Sequence, residues 1–225
     1  MLGNILITGG ASGLGLAVAE AVAKAGGRPL VVDVRSAHGF EQALADLAER
    51  AQAERAVREL AVRAGGLDGV VTAAGIDACG RLEDVPADDW ERVIKVNLLG
   101  TAAVVRAALP YLKRSSGRVV TCASTLGLRA VSDATAYCAA KFGVVGFTRA
   151  LAAELAGQVG VTMLVPGGMS THFFDDRPEQ YKPGPDAKLN RPEDVARTVV
   201  FALSQPPGCE VRELVVCPST ETSWP

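Results

Sequence analysis

At 225 residues the chain has room for one well-cored domain, and 48% hydrophobic content with 24 glycines suits an Ala/Val/Leu-rich fold with many tight loops. Lys+Arg number 23 against 25 Asp+Glu, a net charge of −2, so no basic stripe is available to grip a phosphate backbone and nucleic acid is not an expected partner. The opening MLGNILITGG lacks a basic leader and is far shorter than the ~20 apolar residues of a bilayer span, so the expected location is cytoplasmic, with no membrane attachment.

The first predicted strand is NILIT (4–8). It runs directly into TGGASGLG, where Gly9, Ser12, Gly13, Leu14 and Gly15 lead into a helix over 14–26. Glycines at a strand-to-helix turn let the backbone approach a pyrophosphate, and the helix N-terminus offers unpaired N–H groups with partial positive charge. The spacing G-x-x-x-G-x-G is a variant of the commoner dinucleotide fingerprint. A second strand, PLVVDV (29–34), ends at Asp33, 18 residues beyond Gly15. A carboxylate there can accept hydrogen bonds from the adenosine ribose and would repel a 2′-phosphate, which argues for NAD. Arg35, two residues on, could instead hold that phosphate, so NADP is the alternative.

A short further strand, QALADL (42–47), follows after only about ten residues, too few for a crossover helix, so a loop is expected to replace one surface helix there. Then come a helix over about 51–65, the strand LDGVVTAAG (67–75), a long helix over about 87–114 and the strand GRVVTCAS (117–124). A helix over about 134–157 carries TAYCAAKFG, in which Tyr137 and Lys141 stand four apart and therefore on one face, about 5–6 Å apart at Cβ. The strand GVTMLVP (160–166) precedes a long loop-like stretch, 167–191, read as a substrate lid. A helix over 192–204, opened by Pro192, Glu193 and Asp194, and the strand VRELVVC (211–217) complete the chain. Strands this rich in Val, Ile and Leu without strict alternation are buried on both faces. The prediction is a single doubly wound, Rossmann-type α/β domain, residues 1–225, with a parallel sheet and a shortened connection after the second strand. The five cysteines form no C-x-x-C pair and only two histidines are present, so no metal site is expected.

TGGASGLG (8–15), AAG (73–75), Asn97 in VIKVNLLGT, Ser124 in VVTCASTLG, YCAAK (137–141) and PGGMST (166–171) occur in that order. With these motifs the chain closely resembles the short-chain dehydrogenase/reductase family from about residue 3 to residue 217. The resemblance implies an NAD(P)-dependent oxidoreductase acting on secondary alcohols or ketones. It implies that Tyr137 is the general acid/base, that Lys141 stabilises its charged form and holds the nicotinamide ribose, and that Ser124 orients the reacting oxygen. Asn97 would hold a water linking Lys141 to solvent. Ala74, Gly75, Pro166, Gly167 and Thr171 would join the glycine loop in lining the cofactor site, and Asp46 would match an aspartate near the adenine. A nucleotide-sensing protein without catalysis is the competing class, and it has no need of the phenol.

For the substrate pocket the candidates are IDACG (76–80), 125–133 and the 167–191 stretch. There Met169, Phe173, Phe174 and Tyr181 offer an apolar wall, and Arg129, Arg177 and Lys182 offer charges for a carboxylate or phosphate. Phe142, Val145, Phe147, Leu151 and Leu155 exceed what the Tyr137 helix needs for its own core, so a homodimer or homotetramer built on this helix and the 87–114 helix is expected.

Overall fold

Seven strands join in one sheet: β1 (Asn4–Thr8), β2 (Arg28–Asp33), β3 (Glu41–Leu44), β4 (Gly69–Thr72), β5 (Arg118–Cys122), β6 (Gly160–Pro166) and β7 (Glu213–Val216). The molecule is a computed structural model that describes residues 2–223, so the two ends of the expected 1–225 span lie outside the described residues. Every neighbouring pair is parallel, in the order β3-β2-β1-β4-β5-β6-β7.

Successive strand residues point to opposite faces. Leu6, Leu30, Val70, Val119 and Val161 enter one core cluster, with Ala53, Val57 and Leu60 of α2 (Arg50–Ala64). Ile7, Val31, Val71 and Val120 enter the other, with Val18 and Val22 of α1 (Gly13–Lys24) and Val195 and Val199 of α6 (Pro192–Leu203). The unbroken apolar runs are therefore two interleaved faces, each covered by helices, which is the doubly wound arrangement.

Local chemistry sets the helix ends. Pro192 opens α6, with Glu193 and Asp194 in its first turn. Gly65, at φ +79°, closes α2 in the left-handed conformation that glycine adopts without strain. No helix joins β2 to β3: residues 34–40 cross between neighbouring strands as a loop, as the short spacing requires. The consequence is visible on the sheet. Leu44, opposite in facing to buried Ala43, is 60% exposed, and Val34 is 58% exposed.

The expected long helix is interrupted. It comprises α3 (Ala87–Ile94), a wide π segment Lys95–Gly100, and α4 (Thr101–Ser115). By length and apolarity this run meets the criterion for a membrane span, yet its apolar side is packed, with Val104, Ala108 and Leu112 fully buried in the core.

The helix carrying Tyr137, α5 (Thr135–Glu154), corrects one expectation. Val145, Leu151 and Leu155 are buried in this chain's own core rather than offered to a partner, because they face the sheet and α4. Phe147 is partly buried against that core, and Phe142 alone of the five is exposed. After β6, residues 167–191 leave the sheet and return, tied at the neck by a Met169–Asn190 bridge and by the Ser170 N–H donating to the Asn190 carbonyl at 2.9 Å.

Candidate active site

In an open parallel sheet the crevice lies beyond the carboxyl ends of the strands, where the order reverses, here between β1 and β4. A cleft of about 1720 Å³ opens at that place. It is lined by the turn after β1, the ends of β2 and β6, the segments after β4 and β5, α5 and the 167–191 excursion. All the predicted catalytic and cofactor-binding residues except Asn97 line it; of the substrate-pocket candidates Met169, Phe173, Phe174 and Arg177 do, and Tyr181, Arg129 and Lys182 do not.

The glycine turn is tightly built. Gly9 has φ +72°, and a methyl there would stand 2.8 Å from the Cα of Ala74. A methyl on Gly15 would stand 2.1 Å from the Gly9 carbonyl oxygen. The α1 N-terminus, with Gly13 and Leu14, opens onto the cleft. Across from it, Thr171 lies 3.5 Å from where a methyl on Gly13 would be, so Thr171, with Pro166 and Gly167 at the end of β6, forms the facing wall.

Asp33 ends β2, buried, and ties this turn to the strand: its carboxylate accepts the N–H of Ala11 at 3.0 Å and the N–H of Arg35 at 2.9 Å. Arg35 swings its guanidinium back to the turn and donates to the Ser12 hydroxyl at 2.7 Å. Acid and base therefore share this corner of the cleft. Asp46, past the end of β3, lines the cleft but is engaged by Arg92 at 2.9 Å and by the Ala48 N–H. Burial works to raise its carboxyl, but the Ala48 N–H and Arg92 outweigh this and hold it below its ordinary value.

At the other end stand Ser124, after β5, and Tyr137 and Lys141, on the buried side of α5. Lys141 is only 4% exposed. Its Nζ donates to the Cys122 carbonyl at 2.8 Å and lies 5.5 Å from the centroid of the Tyr137 ring. Burial acts on both groups toward their uncharged forms: it pushes the Tyr137 phenol up, against the lowering effect of the Ser124 hydroxyl, and pushes the Lys141 ammonium down.

Asn97 lies in the π segment, where the widened turn frees its side chain to leave the helix. Its amide clamps Ile76 from both sides, accepting the Ile76 N–H at 2.9 Å and donating to the Ile76 carbonyl at 2.8 Å. A methyl on Gly75 would stand 3.6 Å from Asn97 Oδ1 and 3.7 Å from Lys141 Nζ, so the two side chains converge behind Gly75.

Two site features escaped the sequence reading. Arg177, expected to meet a ligand's charge, meets Asp77, and the C-terminal residues 220–223 fold back to line the cleft, with Glu221 accepting the Gly168 N–H at 3.0 Å. Both contacts join segments far apart in sequence, with no spacing rule to announce them. Arg129, the second expected cation, donates to the Thr222 carbonyl, and Lys182 pairs with Glu179.

The family model for short chain dehydrogenases matches residues 3–182. The chain belongs to this family. Among curated family relatives, 2-(S)-hydroxypropyl-CoM dehydrogenase 3 of Xanthobacter autotrophicus is 34% identical, over 89% of this chain and 89% of its own. D-beta-hydroxybutyrate dehydrogenase of Cupriavidus necator is 36% identical, over 90% of this chain and 83% of its own. Of solved structures, an alcohol dehydrogenase of the archaeon Thermococcus sibiricus, complexed with 5-hydroxy-NADP, superposes with a TM-score of 0.83 at 26% identity, covering 95% of each chain. An actinorhodin polyketide ketoreductase with NADPH gives 0.85 at 28% identity, again over 95% of each. This short-chain dehydrogenase is thus an NAD(P)-dependent oxidoreductase of CH–OH and C=O groups on a small-molecule substrate. Its cleft fits a dinucleotide: at Gly9 and Gly15 the turn packs so closely on Ala74 and on itself that a single methyl would break it, and that turn delivers the α1 N-terminus to the cleft.

Proposed function

We propose that this dehydrogenase interconverts a secondary alcohol and its ketone with NAD, using Tyr137 as the acid/base. The observation that carries the reading is the meeting of Ser124, Tyr137 and Lys141 in one wall of the cleft whose other end is the glycine cradle. The bound dinucleotide supplies the hydride in reduction and accepts it in oxidation. Tyr137 passes its phenolic proton to the substrate oxygen in reduction and takes it back in oxidation. Ser124 holds that oxygen, and its hydrogen bond strengthens as negative charge develops there. Lys141, with its ammonium anchored on the Cys122 carbonyl 5.5 Å from the centroid of the Tyr137 ring, supplies positive charge beside the phenol and would hold the nicotinamide ribose. Asn97 is a positioning residue, bracing the 75–76 segment behind Lys141.

NAD is favoured by buried Asp33 at the end of β2, whose carboxylate would accept hydrogen bonds from the ribose and would oppose a 2′-phosphate. A second reading, NADPH, rests on the Arg35 guanidinium held at Ser12 beside the same corner, and on the NADP-type ligands in the two solved relatives. Residues 167–191 serve as the substrate lid. The protein works in the cytoplasm as a homodimer or homotetramer, for which Phe142 on α5 and Leu99 on the adjoining π segment, 45% and 56% exposed, provide apolar contact.

The deciding variant is Tyr137→Phe. It should lower kcat by about 10²–10⁴-fold, the usual span of general acid–base catalysis, while the fluorescence-monitored affinity for NADH stays within about twofold of the parent. Turnover preserved in the variant would overturn the mechanism.

A further inference from the structure

Beyond Lys141, the substrate end of the cleft holds a second deep cation, Arg177, and the protein has already paired it. Arg177 Nη2 donates to Asp77 Oδ2 at 2.6 Å, and the two side chains are 17% and 4% exposed. The guanidinium lies against two rings that meet edge to face, 5.0 Å from the centroid of Phe173 and 4.6 Å from that of Phe174. Phe173 stands 5.6 Å from the Tyr137 ring, so this ion pair lies one aromatic ring away from the phenol. Asp77 is further satisfied by the Ala78 N–H at 2.7 Å and the Cys79 thiol at 3.1 Å. Arg177 is not: its Nε is buried with no acceptor among the described residues.

The same cleft carries Glu221, held in place by the Gly168 N–H at 3.0 Å and by the Ser223 N–H and hydroxyl at 3.0 and 2.7 Å. Burial works to raise its carboxyl, but these bonds hold it below its ordinary value, so it is charged at neutral pH. Of the two lysines in this half of the lining, Lys141 is buried and donates to the Cys122 carbonyl, and Lys188 is exposed, where water screens its charge.

An anionic substrate either displaces Asp77 from Arg177, leaving a buried carboxylate unpaired, or takes the remaining Nε donor with that carboxylate beside it, and in both cases it lies in a cleft that also carries Glu221. An uncharged one meets Phe173 and loses nothing. We propose that Asp77 is a specificity-determining residue: by occupying Arg177 it makes the pocket select uncharged alcohols and ketones and reject their carboxylate and phosphate counterparts. This rests on the oxidoreductase reading above and adds the substrate's charge class to it.

The test uses matched pairs that differ only in charge: racemic 2-hydroxy and 3-hydroxy acids of several chain lengths, each beside its methyl ester, assayed on the full chain with NAD and with NADP. The ester should lead in kcat/KM by about a hundredfold, as like-charge juxtaposition in a buried site implies. In Asp77→Asn, which keeps the shape and frees Arg177, the ratio should move at least about tenfold toward the acid, mainly through a lower KM for the acid. Arg177→Met added to that variant should cancel the gain. If Asp77→Asn does not fold, Glu221→Gln supplies the second measurement and should shift the ratio in the same direction. A panel in which no ester leads its acid overturns the inference, as does an unchanged ratio in the variants. Turnover that favours acids and disappears in Tyr137→Phe would overturn this inference alone. Dinucleotide binding with no turnover of any acid or ester would count against the oxidoreductase reading as well.

Discussion

Asp33 uses both oxygens on backbone N–H groups of Ala11 and Arg35, so it fixes the glycine turn as well as carrying the negative charge proposed to meet a ribose. Asp33→Ala should therefore weaken NADH binding and bring the NADPH-to-NADH affinity ratio about tenfold toward NADPH, a change of ~1.4 kcal/mol. Separate titrations with the two dinucleotides measure it, and an unchanged ratio would transfer discrimination to Arg35. The pH behaviour also belongs to one residue. Burial raises the Tyr137 phenol, so at neutral pH it carries its proton, the form that ketone reduction needs. Reduction should be level near neutrality and fall as pH rises through that phenol's pKa, whereas oxidation needs the phenolate and should climb over the same range. Initial rates in both directions decide this, and profiles that rise and fall together would refute it.

At the scale of elements, what the sequence announced was what local chemistry controls. The glycine turn, the i, i+4 pair on α5 and the Pro-Glu-Asp start of α6 are rules of a few residues, and each is where the spacing put it. The loop from β2 to β3 was legible too, since a crossover helix needs more residues than that span holds. The π segment was not. KVNLLG has ordinary helical composition, and what widens the helix there accompanies the tertiary clamp of Asn97 on Ile76. The partner of Arg177 was equally hidden, 100 residues away at Asp77. So was the role of the tail, since nothing in PSTETS marks Glu221 as a residue that reaches Gly168.

For the whole molecule, hydrophobic surplus on a helix proved a poor guide to assembly. Of five apolar residues on α5 beyond its evident needs, three are buried internally, because a helix between a sheet and two other helices needs a wide apolar arc. The exposed pair Phe142 and Leu99 is what remains for a partner. Phe142→Glu with Leu99→Glu should lower the solution mass, by light scattering, to that of one chain without changing the far-UV circular dichroism. A monomeric parent, or an unchanged mass in the variant, would show that this face is not the interface.

The parallel sheet also orders events during synthesis. β1 pairs with β2 across 24 positions, Asn4 with Arg28, but with β4 across 64, Ile5 with Gly69. On a growing chain the first strand can therefore pair with its left-hand neighbour long before its right-hand neighbour exists. The helix between them, α1, packs on Val195 and Val199 of α6, so the dinucleotide cradle is finished only after the ribosome has passed the tyrosine that would use it.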